Sequence, residues 1–237
     1  MKKSVLLLLA VSAILFVVSC GTTPEEYYKT AQSQYDEKNY IEALTNLNKA
    51  IEKDVKFSDA YFLRTKVKAK TGDLTGAMKD LDLAIKYNPK NYSALYQRGL
   101  AKAQERNYEA AIRDYDKTLK LNPKLPDALF SRGFARYSLG DYYGAIDDYT
   151  RSLDMNQSAA VFCNRAIAND DLGENIAAMR DYSKAILINP KFAEAYFNRG
   201  SLKFEENDVQ GACQDWQIAA DLGLEPAKEM LAKYKKN

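Results

Sequence analysis

Five arginines, Arg64, Arg98, Arg132, Arg165 and Arg199, are each followed sixteen residues later by an aspartate: Asp80, Asp114, Asp148, Asp181 and Asp215. Two chemistries fit such a row. A line of guanidinium forks suits a ligand bearing carboxylates or phosphates. Alternatively, each arginine is neutralised by its own aspartate and offers little to any ligand. Near the start of the chain the equivalent residues are Thr30 and Asn46. Both partners change together there, which favours the paired, structural reading. Catalytic alternatives are poor. Asp147-Asp148 and Asp170-Asp171 are adjacent carboxylates, but neighbouring residues of a helix point in different directions, and helix surfaces carry such pairs routinely. The chain has no histidine, which excludes histidine-based triads and the usual zinc ligand sets. No glycine-rich phosphate loop appears. Neither a catalytic residue, a metal nor a cofactor is therefore expected. Cys163 and Cys213 read as small buried hydrophobes, with a disulfide in an oxidising compartment as the other reading.

The elements that position these residues emerge when the chain is compared with itself at a fixed period. Asn-Pro recurs at Asn88-Pro89, Asn122-Pro123 and Asn189-Pro190, marking a period of 34 residues, shortened once to 33. The units run 24–57, 58–91, 92–125, 126–158, 159–192 and 193–225. The twentieth place is alanine in all six: Ala43, Ala77, Ala111, Ala145, Ala178 and Ala212. The eighth place is small (Ala31, Thr65, Gly99, Gly133, Ala166, Gly200), and the twenty-fourth is large (Leu47, Leu81, Tyr115, Tyr149, Tyr182, Trp216). Small residues let helices approach closely, and the large ones are the knobs that fill the holes. Mid-unit pairs such as Gly72-Asp73, Arg106-Asn107, Gly140-Asp141 and Asn207-Asp208 read mostly as a helix stop followed by a helix cap. Pro24 and Pro126 fall where a helix begins, a place where proline loses nothing.

This pattern resembles the tetratricopeptide repeat, over about 200 of 237 residues. The resemblance implies an all-α, right-handed solenoid of six helical hairpins. Residues 226–237 read as a capping helix and tail, with Ala227, Met230, Leu231 and Tyr234 on one face. The resemblance also implies that first helices line a concave wall with their second, fifth, ninth, twelfth and thirteenth places. On this chain those places give candidate partner-binding aromatics Tyr28, Phe62, Tyr96, Phe130, Phe134, Tyr137, Phe197 and Phe204, together with Tyr35 and Cys163. Phe130, Phe134 and Tyr137 share one helix face, so unit four is expected to be the energetic centre. Asp36, Asp59, Asp127, Asp170, Asp171, Glu194 and Glu205 fall on the same wall, with Lys66 and Lys70 opposing them, which favours basic or mixed-charge partners. Tyr28, Gln32, Leu63, Ser93 and Gln97 stand where some members carry a carboxylate clamp of lysines and asparagines, so a chaperone-tail receptor is disfavoured. The implied role is a scaffold for a protein or peptide in the groove. The alternative is capture of a glycan or apolar molecule on the aromatics.

The first residues carry a separate signal. Lys2 and Lys3 precede the apolar run Val5 to Val18, too short to span a bilayer comfortably. The segment closes with Val17-Val18-Ser19-Cys20-Gly21, which resembles a bacterial lipobox. The resemblance implies a signal peptide at 1–19, cleavage before Cys20, and acylation there, with 20–23 as lipidated cysteine and linker. An uncleaved short anchor is the other reading. Three acyl chains exceed the single chain that holds a protein only marginally. The mature protein is thus expected on the bacterial envelope, facing the periplasm, and Gly21 in place of a retention aspartate favours the outer membrane. Without Lys2 and Lys3, basic and acidic residues balance at 32 each. Nothing steers this chain to nucleic acid.

Overall fold

The computed structural model describes residues 22–234. The reading of Cys20 and its leader lies outside the described residues. Within them, thirteen helices follow one another: α1 (Pro24–Asp36), α2 (Tyr40–Lys53), α3 (Ser58–Thr71), α4 (Leu74–Tyr87), α5 (Tyr92–Gln104), α6 (Tyr108–Leu121), α7 (Pro126–Ser138), α8 (Tyr142–Met155), α9 (Ala159–Asp171), α10 (Asn175–Ile188), α11 (Ala193–Glu205), α12 (Val209–Asp221) and α13 (Glu225–Tyr234). Consecutive helices pair into six hairpins, each second helix also packs on the first helix of the next hairpin, and α13 packs on α12. The all-α solenoid expected of the sequence is the fold observed.

Local chemistry sets the helix ends. Thr23 and Glu26 form a reciprocal capping box over Pro24 at the start of α1;. In every hairpin turn one residue adopts left-handed backbone: Lys38, Gly72, Arg106, Gly140, Gly173 and Asn207, with φ from 58° to 88°. The next residue then caps the second helix. Asp73, Asn107, Asp141 and Asp208 each accept a hydrogen bond from the amide three residues on, at 2.8 to 3.3 Å. Asn39 and Glu174 take the same place without a side-chain cap.

Packing follows the alternation of small and large. All six alanines at the twentieth place are buried, five of them completely. A Cβ added to Gly99 would lie 2.5 Å from a Tyr115 ring carbon; at Gly133 it would lie 2.7 Å from Tyr149, and at Gly200, 2.8 Å from Trp216. Each ring occupies the volume its glycine vacates. Where the large residue is Leu47 or Leu81, the small one is Ala31 or Thr65, while unit five keeps a ring, Tyr182, against Ala166. No hairpin owns a private core, because burial is completed by the next hairpin. At the far end α13 does this for the last one: Phe204, Trp216 and Tyr234 stack with ring centroids 4.5 to 6.0 Å apart.

Candidate functional site

Each repeated arginine engages all three of its guanidinium nitrogens. In each of the last five units the guanidinium Nε and Nη2 donate to both oxygens of the aspartate sixteen residues on, at 2.6 to 2.9 Å. The third donor, Nη1, reaches back to the second helix of the preceding unit: Asn48, Asp82, Asp116, Thr150 and Ser183 accept in turn. Every arginine therefore joins three helices, pairing within its own unit and across to its predecessor at once. A second cation, four residues after the arginine, rests on the same aspartate: Lys68, Lys102, Arg136 and Lys203. Unit five has Asn169 there instead. In unit one the charges give way to amides, and Asn46 Nδ2 donates to Gln34 Oε1 at 2.9 Å.

The electrostatics match this geometry. Burial alone would raise the Asp114 pKa, but the hydrogen bonds and charges of Arg98 and Lys102 outweigh it and hold the carboxyl below the ordinary aspartate value;. Hydrogen bonding to Asp114 raises Arg98 in turn. These donors are committed to the protein, so the row is not an open anion grip.

The inner-wall aromatics fall into three settings. Tyr28, Phe62, Tyr96, Phe130 and Phe197 are half-buried; Tyr28 packs on Phe57, Tyr96 on Tyr115, and Phe130 on Tyr149. Phe134 stands out at 41% exposed, and its one ring contact among the described residues is edge-on, at 6.3 Å to Tyr108 of the preceding unit. Tyr137 and Phe204 are tied into the stack. Tyr137 packs on Tyr142 and donates at 2.6 Å to Asp171 of the next unit, and Phe204 lies beneath α13. The face shared by Phe130, Phe134 and Tyr137 thus presents Phe134 outward and uses the other two largely for support. Cys163, which replaces the fifth-place aromatic in unit five, is buried, and burial followed by the Glu194 charge pushes its thiol up to about 12. Cys163 and Cys213 are both free thiols.

Charge on the wall is uneven. Asp127, Asp170, Asp171, Glu194 and Glu205 make no salt bridge among the described residues, and no basic residue holds a second, fifth, ninth, twelfth or thirteenth place in units four to six. Burial, and then the charges of Glu205, Asp171 and Glu206, raise the Asp170 pKa, against a weak hydrogen bond from Tyr182 at 3.4 Å. Where unit two meets unit three, a cleft of about 730 Å³ opens among Ala69, Leu74, Met78, Leu100 and Gln104. Leu74 on its lip is 70% exposed.

Comparison with known proteins places this geometry. Residues 102–140 match the family model described as TPR repeat. Several solved structures share the architecture. A Pseudomonas aeruginosa pilF structure superposes with a TM-score of 0.72 at 18% identity, covering 89% of this chain and 97% of that one. The fold is a tetratricopeptide-repeat solenoid. YrrB, described as a TPR protein with an unusual peptide-binding site, aligns at a TM-score of 0.69 and 19% identity over 80% of this chain and 97% of its own. MamA aligns at 0.64 and 24% over 72% and 97%. Among curated proteins, human tetratricopeptide repeat protein 6 is 33% identical over 30% of this chain. A small glutamine-rich tetratricopeptide repeat-containing protein 2 from Mycosarcoma maydis is 33% identical over 32%. The matched stretches span only 14% and 21% of those two relatives.

Two features of this tetratricopeptide solenoid escaped the sequence reading. The second cation at the eleventh place leaves a signal in the sequence, Lys68, Lys102, Arg136 and Lys203, one helical turn beyond each arginine;. The cleft is the consequence of an absence. At the twelfth and seventeenth places unit one pairs Tyr35 with Tyr40, and unit four pairs Tyr137 with Tyr142. Unit two has Ala69 and Leu74 there. A missing ring is hard to see in a pattern defined by what recurs.

Proposed function

We propose that this chain is a lipid-anchored scaffold of the bacterial envelope, facing the periplasm, whose concave wall binds a protein or peptide. TPR solenoids are protein-interaction modules, and the coarse role rests on that. The observation that carries the finer reading is Phe134: a large apolar side chain, 41% exposed at mid-wall, with one edge-on ring contact. Exposed aromatics of this kind supply anchor area at low entropy cost. The peptide-binding site of YrrB offers a precedent on the same fold. The anchor rests on the sequence around Cys20, and the outer membrane on Gly21.

The test is in-cell crosslinking of the full chain and of Phe134→Asp, with bound proteins identified by mass. A partner captured by the native chain and missed by the variant supports the reading; equal capture moves binding off this wall. Tyr137 is unsuited to the same test, because its truncation would also cut the bond to Asp171. For the anchor, an N-terminal peptide beginning at an acylated Cys20 is expected, and a soluble, unmodified protein would refute it.

A further inference from the structure

Near the hairpin turn, four of the six units place a half-buried ring at the twelfth or seventeenth place. Unit one supplies Tyr35 and Tyr40. Unit three supplies Tyr108, which meets Phe134. Unit four supplies Tyr137 and Tyr142, and unit six Phe204, covered by Tyr234. Units two and five have no ring. In unit two the residues are Ala69 and Leu74, and the space stands open as a cleft in which these two join Met78 and Leu100, with Lys79, Asp82, Gln104 and Glu105 also in its lining. In unit five they are Asp170 and Asn175, beside Glu205 of unit six. At the ring places the first of these junctions carries apolar residues and the second an acidic one.

From this pairing we infer that the wall takes a cationic protein segment, one aromatic side chain of which enters the cleft between units two and three while basic residues lie over Asp170 and Glu205. The inference deepens the scaffold reading and rests on it. An aromatic occupant follows because the solenoid's own rings fill the equivalent site at other junctions. Charge sets the rest. The wall carboxylates Asp127, Asp170, Asp171, Glu194 and Glu205 make no salt bridge among the described residues, whereas unit two carries Lys66 and Lys70 at wall places, and of the charged residues lining the cleft, Lys79, Asp82 and Glu105, Asp82 is already paired with Arg98;. The segment's basic end therefore lies toward unit six. Three unit steps separate the junctions, roughly 30 Å at about 10 Å per packed helix, which about nine extended residues reach.

The probe is a fluorescein-labelled peptide with tryptophan and an Arg-Arg pair nine residues apart, made in both orders, and titrated against the full chain in detergent. One order is expected to bind. Alanine in place of its tryptophan should weaken it about thirtyfold, the scale of a buried anchor. On the protein, Ala69→Tyr with Leu74→Tyr rebuilds the ring pair of units one and four. That variant should melt at or above the native temperature, lose the same thirtyfold, and no longer distinguish the two peptides. Asp170→Asn with Glu205→Gln should weaken the arginine peptide about tenfold at low salt and flatten its salt dependence. No binding by either order, or a folded double-tyrosine variant with native affinity, overturns the inference. Partner capture lost in Phe134→Asp but kept in the double-tyrosine variant would do so while leaving the scaffold reading intact.

Discussion

At the residue scale the buried aspartates carry the largest local consequences. Asp114 is 2% exposed and holds both Arg98 and Lys102. Asp114→Ala leaves two cations facing a cavity; because Arg98 keeps Asp82, a loss of about 3 kcal/mol is expected, the low end for breaking a buried pair. Asp181 holds a single cation, Arg165, so Asp181→Ala should cost less. Thermal melts of the two variants check the order, and equal losses would remove the second cation from the account. The titrations have opposite signs. With its folded pKa depressed, Asp114 contributes stability above its unfolded value that is lost as pH falls through the folded one;. Asp170 has a raised pKa, so its ionised form weighs against the fold at neutral pH, and that cost is relieved as pH falls through the raised value;. Asp170→Asn should therefore raise the melting temperature at pH 7 and leave it little changed near pH 3.

At the element scale the governing relation in units three, four and six is ring against glycine. Gly133→Ala would force the Tyr149 ring to shift and should cost about 1 to 3 kcal/mol, the range for overpacking;. Adding Tyr149→Leu reproduces the Ala31 with Leu47 pairing of unit one and should recover part of that loss, which a double-mutant cycle by denaturant unfolding reads directly. The turns offer a gain. Arg106 is held at φ 58°, where glycine has no steric penalty, and Arg106→Gly should stabilise the α5 to α6 turn by up to about 1 kcal/mol. These relations explain what the sequence could and could not disclose. Alanine at the twentieth place and the glycine and knob pairs repeat in register, so helix pairing and core were legible. The wall was legible as a set of positions only. Phe134 and Tyr137 hold equivalent inward places, yet one is exposed and the other is tied to Asp171 across a unit boundary, a distinction set by the neighbouring unit rather than by the local pattern. For the same reason the arginine partners were readable while their third bond was not, since its acceptors, Asn48, Asp82, Asp116, Thr150 and Ser183, are of four residue types.

At the scale of the whole molecule, a stack without private cores is held by its interfaces and vulnerable at its ends. The first hairpin is held without charge: Asn46 and Gln34 stand in place of the ion cluster and Thr30 in place of the arginine. The finish is protected by α13, whose Ala227 and Leu231 are buried and whose Tyr234 covers Phe204 and Trp216. Ending the chain after Asp221 would expose those rings, and an aromatic side chain fully buried contributes about 2 to 3 kcal/mol. The truncated protein is thus expected to fray from its C-terminal end. Hydrogen exchange should quicken through α11 and α12 while α3 to α8 keep native protection, because each hairpin depends only on its neighbours. Light scattering should register self-association through the uncovered face. Uniform loss of protection along the whole chain would instead mean that the solenoid unfolds as one cooperative body, with the arginine staples transmitting the loss from unit to unit.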